Sequence, residues 1–77
     1  MENYVTEYTW TTDSPHADNS ETMQDFMDNH LGEAFEGDFR VIYQEDSYAE
    51  VEDEYGIIRE LYASGNGDSN NHIMRIR

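Results

Sequence analysis

Residues 21–37 read ETMQDFMDNHLGEAFEG, and the spacing of their apolar side chains decides the fold class. One stripe with helical spacing contains Met23, Phe26, Met27, His30, Leu31, Ala34 and Phe35. A recurrence every three or four residues is typical of an amphipathic helix. Asp18 and Glu21 have the spacing of a capping box, and Gly37 stands where a left-handed residue would end the helix. We therefore predict one helix over about residues 19–36.

Alternating β-branched and aromatic residues predict strands on both sides of this helix. The first predicted strand, residues 3–12 (NYVTEYTWTT), places Tyr8 and Trp10 on one face. The others are 39–44 (FRVIYQ), 48–52 (YAEVE), 57–63 (IIRELYA) and 72–77 (HIMRIR). The stretch 57–63 also fits a helix, and the strand is favoured because its two isoleucines follow a glycine turn. The sequence predicts an α+β fold, with one amphipathic helix packed on a small, mostly antiparallel sheet of four to five short strands.

The charge of the chain exceeds what a small domain needs. The chain has 77 residues, which we expect to form one acidic domain (1–77). It has 18 acidic residues against four arginines and no lysine, giving a net charge of −14. Solubility requires a net charge of only about 2 to 8, and the excess destabilises the compact state by self-repulsion. A functional reason for the acidity is therefore worth seeking.

Disorder is the first alternative, because Leu, Ile, Val and Phe number only 13 of 77 residues. Ten aromatic residues argue against it, since each buries a large area. The apolar positions are also periodic. We therefore expect a folded domain, which a partner or a second copy could stabilise further.

Several classes of function are disfavoured by what the chain lacks. It has no cysteine, which fits a reducing cytoplasm, and it has neither a long apolar run nor the pattern of a signal peptide. Anionic membranes and nucleic acids would repel it. We expect a cytoplasmic protein that binds neither of them directly.

The sequence offers no clear site for a metal or for catalysis. Its histidines, His16, His30 and His72, have no short ligand spacing, and Asp68, Asn70 and His72 do not complete a calcium loop. There is no nucleophile–base motif, phosphate-binding glycine loop or nucleotide fingerprint. We predict no metal, no cofactor and no enzymatic activity.

The acidic stretch at 43–56, YQEDSYAEVEDEYG, contains six carboxylates and no positive charge. Glu50 and Glu52 on one face of a strand would lie roughly 6.5 to 7 Å apart. Duplex DNA carries one phosphate per roughly 3.4 Å of each strand, so such rows could occupy the arginine and lysine subsites of a nucleic-acid-binding protein. The predicted main contact row is Glu45, Asp46, Glu50, Glu52, Asp53 and Glu54, and the second row is Asp25, Asp28 and Glu36. Tyr48 and Tyr55 lie among these acids and suit an interface.

In charge, in size and in the absence of lysine, the chain resembles the small DNA-mimic inhibitors made by bacteriophages and mobile elements. The resemblance is one of composition. It implies an acidic decoy that docks on the nucleic-acid groove of a basic host protein, such as a CRISPR effector, a restriction enzyme, a repair enzyme or a polymerase.

Two alternatives stay open. The first is an adaptor that binds through exposed tyrosines and the open sheet face, where a second copy could also form a homodimer. The second is a salt-adapted acidic domain, although four alanines and three valines are fewer than such chains usually have.

Overall fold

The computed structural model describes residues 5–14, 16–64 and 70–77. The strands are β1 (Glu7–Thr11), β2 (Arg40–Gln44), β3 (Tyr48–Glu52), β4 (Ile58–Ser64) and β5 (Asn71–Ile76), and the helices are α1 (Asn19–Asn29) and α2 (Leu31–Ala34). The strands form one antiparallel sheet in the order β1-β5-β4-β3-β2. The predicted α+β class is confirmed, with a five-stranded antiparallel sheet and two helices. The ambiguous stretch 57–63 is largely strand β4. The start of the strand predicted for 3–12 and the calcium-loop candidate Asp68 lie outside the described residues.

The start of α1 has the predicted capping box. Asp18 Oδ1 accepts a hydrogen bond from the Glu21 backbone N–H at 2.9 Å, and Glu21 Oε2 accepts one from the Asp18 backbone N–H at 3.3 Å. These two bonds satisfy backbone donors that a helix otherwise leaves unpaired at its first turn.

The end of the helix differs from the prediction. Instead of one helix over 19–36, α1 ends at Asn29, and His30 (φ −123°, ψ −8°) separates it from the single turn α2. The His30 ring packs against Tyr8 and Trp10 of β1, with ring centroids 5.5 and 5.4 Å away. The prediction for Gly37 is also wrong, because the chain leaves α2 through Phe35 in an extended conformation. Among the described residues, only Gly56 has a positive φ.

The hydrophobic core lies between α1 and one face of the sheet. Its largest fully buried apolar side chains are Phe26 and Met23 of α1, Leu61 of β4, Met74 of β5 and Val51 of β3. Trp10 of β1 also belongs to it, as the alternation in the first strand predicts. Helix α1 packs mainly against β4. All five residues of β2, at the edge of the sheet, are therefore left exposed.

Candidate partner-binding surfaces

All the arginines lie in strands or directly after one. Arg40 in β2 pairs with Glu52 at 2.6 Å, Arg59 in β4 with Asp53 at 3.2 Å, and Arg75 in β5 with Glu7 at 3.3 Å. The fourth, Arg77, follows β5 and lies 5.3 Å from the centre of the Tyr62 ring. The positive charge of the molecule is therefore confined to the sheet, where acidic or aromatic groups meet it.

The helices and loops carry the opposite distribution. Twelve carboxylates stand in the described segments outside the strands. All of them except the buried Asp53 are named here the helix-and-loop acids: Asp13, Asp18, Glu21, Asp25, Asp28, Glu33, Glu36, Asp38, Glu45, Asp46 and Glu54. Ten of them are exposed, and the segments from which they come contain no arginine. Their own segments therefore supply no arginine to relieve their mutual repulsion, although Arg40 of β2 lines one depression together with Asp38 and Glu54.

One part of this acidic region joins α1 to the β2–β3 turn. The Gln24 side-chain amide donates to Asp28 Oδ1 at 2.8 Å, and the Gln44 amide donates to Gln24 Oε1 at 3.4 Å. Ser20, Gln24, Gln44, Glu45 and Asp46 line an open depression of about 320 Å³ beside them. We name Gln24, Asp28, Gln44, Glu45 and Asp46 the helix–turn surface. It brings together Glu45 and Asp46 of the predicted main row with Asp28 of the second.

Two members of the predicted main row lie elsewhere, on the open face of the sheet. Glu50 and Glu52 point away from the core, as predicted, because Ala49 and Val51 between them are buried. The Tyr48 hydroxyl donates to Glu50 Oε2 at 2.6 Å and also lies 2.9 Å from an oxygen of Glu60 on β4. The hydrogen bond to Glu50, followed by burial and the Glu60 contact, raises the pKa of Tyr48. Tyr48 therefore stays protonated and holds these two facing carboxylates together.

Asp53 has a structural role that its place in the acidic run conceals. Only 8% of the residue is exposed, and its carboxylate accepts hydrogen bonds from the backbone N–H groups of Tyr55 and Ile57 and from Arg59. Burial alone would raise the pKa of Asp53, but the Ile57 and Tyr55 amides and Arg59 together lower it. The Asp53 carboxylate thus closes the β3–β4 turn. We therefore do not include Asp53 among the proposed partner contacts. An Asp three residues before the turn glycine Gly56 is a signal that could have revealed this role.

The remaining predicted residues divide between two places. Asp25 on α1 accepts a hydrogen bond from the Trp10 indole Nε1 at 2.6 Å and another from Asn29 at 2.9 Å, so it also holds the core together. Glu36, Glu54 and Tyr55 are exposed near the other end of β3. A Cβ on Gly37 would collide with the Glu54 carboxylate, so the glycine permits this close approach.

The open sheet face also carries a row of aromatic rings. Tyr43, Tyr48 and Tyr62 stand on the neighbouring strands β2, β3 and β4, with ring centroids 6.1 and 5.3 Å apart. We name these three residues the tyrosine row. Sequence reasoning singled out Tyr48 but missed Tyr62, because the pairing of Tyr48 with Tyr62 becomes visible only once the β3–β4 register is known.

In the part of the chain that the structure describes, no group of three His, Asp or Glu side chains is placed to hold a metal ion. No helix there is long and apolar enough to cross a membrane. His72 is fully buried, with Nε2 3.1 Å from Thr12 Oγ1 and its ring against Trp10. This histidine therefore belongs to the packing around β1 and β5.

No protein-family model, curated protein or solved structure matches this chain. Function must therefore be inferred from how charge and aromatic groups are distributed over the two faces.

Proposed function

We propose that this protein is a DNA-mimic inhibitor that occupies the nucleic-acid groove of a basic host protein and presents carboxylates in place of phosphates. The separation of charge supports this most. The helix-and-loop acids stand on segments without arginine, while the arginines meet their partners on the sheet. Acidity that served only solubility would be interspersed with positive side chains.

The rigidity of α1 adds to this support. Its first turn is fixed by the capping box, and Phe26 and Met23 anchor its inner face in the core. Glu21, Asp25 and Asp28 then follow one side of the helix, with rises of about 6 and 4.5 Å between them. These intervals lie between one and two phosphate spacings of about 3.4 Å. Carboxylates held in this way can receive charge-assisted hydrogen bonds from arginine and lysine without first being ordered.

The field of the molecule would also accelerate encounter with a basic groove. An excess of negative charge attracts an oppositely charged surface over about one Debye length, roughly 8 Å at physiological ionic strength. Such steering raises the association rate and makes binding sensitive to salt. The centre of the proposed contact is Asp28, Glu45 and Asp46 of the helix–turn surface. The flanking contacts are Asp25, Glu36, Glu54 and Tyr55. Glu50, Glu52 and Tyr48 of the predicted set lie on the open face, engaged with one another or with Arg40, and are not part of the proposed contact.

Two triple variants with equal loss of charge test this proposal. The first, Asp28→Asn with Glu45→Gln and Asp46→Asn, neutralises the helix–turn surface. The control, with Glu7→Gln, Glu50→Gln and Glu60→Gln, removes three charges from the open face. The partner is the protein that wild type captures from bacterial lysate at about 50 mM salt and that duplex DNA releases.

The first variant should weaken this complex by about tenfold or more and flatten its salt dependence, while the control should change affinity by less than about threefold. Equal losses of affinity in the two variants would mean that only the net charge of the protein matters. A larger loss of affinity in the control would show that the partner binds the open face instead.

The tyrosine row favours a second candidate function, an adaptor that binds through the open sheet face. Rigid rings supply contact area at low entropic cost, and the hydroxyls of Tyr43 and Tyr48 already donate to Glu45 and Glu50. In that case Tyr43→Ser with Tyr62→Ser would break the complex, binding would tolerate salt, and both charge variants would retain it.

A further inference from the structure

Strand β2 has an outer edge to which no strand among the described residues is paired. It stands at the end of the sheet order and pairs only with β3. Its central residues are apolar and exposed, at 43% for Val41, 37% for Ile42 and 47% for Tyr43. An apolar edge strand of this kind is a template for another strand. Of the features that commonly protect such edges, β2 has neither lysine nor proline at its centre, but it begins with Arg40 and its register shifts between Val41 and Tyr43.

The two ends of this edge are acidic. Before the strand lies an open depression of about 260 Å³ lined by Asp38, Phe39, Arg40, Glu52, Asp53 and Glu54. After it lies the depression of the helix–turn surface, with Glu45 and Asp46. Glu45 comes seven positions after Asp38, which corresponds to about 23 Å of extended chain. The edge thus offers an apolar centre between two negative ends.

We propose that β2 accepts, as a sixth strand of the sheet, an extended segment of a partner protein that has β-branched residues at its centre and lysine or arginine at both ends. Backbone hydrogen bonds to the free edge of β2 would bind the segment. The apolar side chains would cover Val41, Ile42 and Tyr43, and the basic ends would lie at the two acidic depressions. This docking does not depend on occupation of a nucleic-acid groove.

A second copy of this chain fits the edge less well. Antiparallel pairing of two β2 strands about their centre would bring Glu45 and Asp46 of one copy beside Asp38 and Arg40 of the other. At each end of the paired strands, the single positive charge of Arg40 would then face three carboxylates, which repel one another. The register of β2 also shifts between Val41 and Tyr43. Such bulges hinder the association of two preformed edges. A flexible segment can follow the bulge, which a rigid identical strand cannot do as readily.

Three fluorescent decapeptides test the proposal on the full chain. The first has alternating valine and threonine between two pairs of lysines. The second keeps the lysines around a glycine–serine centre, and the third keeps the valine–threonine centre between pairs of glutamates. The first should bind about tenfold more tightly than either of the others, since it alone combines strand propensity with the complementary charge. It should also shift the backbone amide signals of residues 40–44.

Two edge variants locate the binding. The Glu45 N–H donates to the Tyr48 carbonyl at 2.7 Å, so in an alternating antiparallel ladder the neighbouring Gln44 directs its N–H outward. Gln44→Pro removes that outward donor, and Ile42→Lys places a positive charge on the edge. Each should weaken binding of the first peptide by about tenfold, with the amide spectrum outside β2 retained as evidence of folding.

Three results would overturn the proposal. Equal affinity for both lysine peptides would show that only charge attracts them, and unchanged binding by both edge variants would place the peptide elsewhere. Dimerisation that strengthens with salt, without peptide binding, would assign the edge to a second copy.

Discussion

The two faces of this molecule differ in how they treat charge. On the open sheet face, Arg40, Arg75 and Arg77 lie next to acidic or aromatic groups, and Tyr48 links the carboxylates of two strands. On the helices and loops, the eleven helix-and-loop acids stand on segments without arginine. The arginines thus offset much of the negative charge on the open sheet face, and it is this difference on which our proposal of a positive partner for the helices and loops rests.

The largest expected effect comes from the core that supports both faces. Phe26→Ala should destabilise the fold by about 3 to 5 kcal/mol, because Phe26 is fully buried between α1 and the sheet. That loss is a large part of the total stability expected for so small a domain, and both faces should fail together. Urea denaturation measures it, with the more exposed Phe39→Ala as control, for which we expect about 1 kcal/mol or less. Equal losses at both positions would contradict the assignment of the core.

A second substitution tests whether Asp53, unlike the acidic residues around it, stabilises the fold. Asp53→Asn should lower the urea midpoint, since it leaves the largely buried Arg59 without its charged partner, whereas the neighbouring Glu54→Gln should leave it unchanged or raise it. The folded pKa of Asp53 is lowered, so its stabilisation is present above the unfolded value near 3.8 and is lost as pH falls through the folded pKa. The difference in midpoint between wild type and Asp53→Asn should therefore shrink between about pH 5 and pH 2. A difference that does not vary with pH would argue against the ion pair.

Asp25 has two roles. It is one of the helix-and-loop acids, and it also stabilises the fold by accepting a hydrogen bond from the Trp10 indole. Asp25→Ala should cost about 1 to 3 kcal/mol, since the buried N–H of Trp10 loses its acceptor. The change should appear in the fluorescence of the single tryptophan. Asp28→Ala, which loses an exposed contact with Gln24, should cost less than about 0.5 kcal/mol. The assignment of a structural role to Asp25 would be wrong if both variants behaved alike.

The smallest expected effect concerns the repulsion among the helix-and-loop acids. Raising the salt from about 20 to 500 mM should increase the melting temperature by a few degrees, because ions screen like charges beyond the shortened Debye length. The helix–turn variant should show a smaller increase than the open-face variant. A chain that folds only in molar salt would instead support the salt-adapted alternative.

The sequence predicted most of the secondary structure, because helical spacing and strand alternation are local signals. The stripe from Met23 to Phe35 and the Asp18–Glu21 capping box placed α1, and Ala49 with Val51 gave the correct inward face of β3. The break at His30 escaped prediction because it depends on contacts with Tyr8 and Trp10, which are distant in the chain.

Which carboxylates lie beside an arginine, and on which surface each one lies, could not be predicted in the same way. The partners Arg40 and Glu52, like Glu7 and Arg75, meet only through the strand register. The acidic run of 43–56 therefore looked like one row, although its members occupy the helix–turn surface, the open face and a buried turn.

Hydrogen exchange of this protein, free and bound to the protein that it captures, tests the central claim most directly. We predict slower exchange on binding in α1 and in the β2–β3 turn, around Asp28, Glu45 and Asp46, and little change in β5. Slower exchange confined to β4 and β5, with α1 and the turn unchanged, would contradict the proposal that the helix-and-loop acids meet the partner.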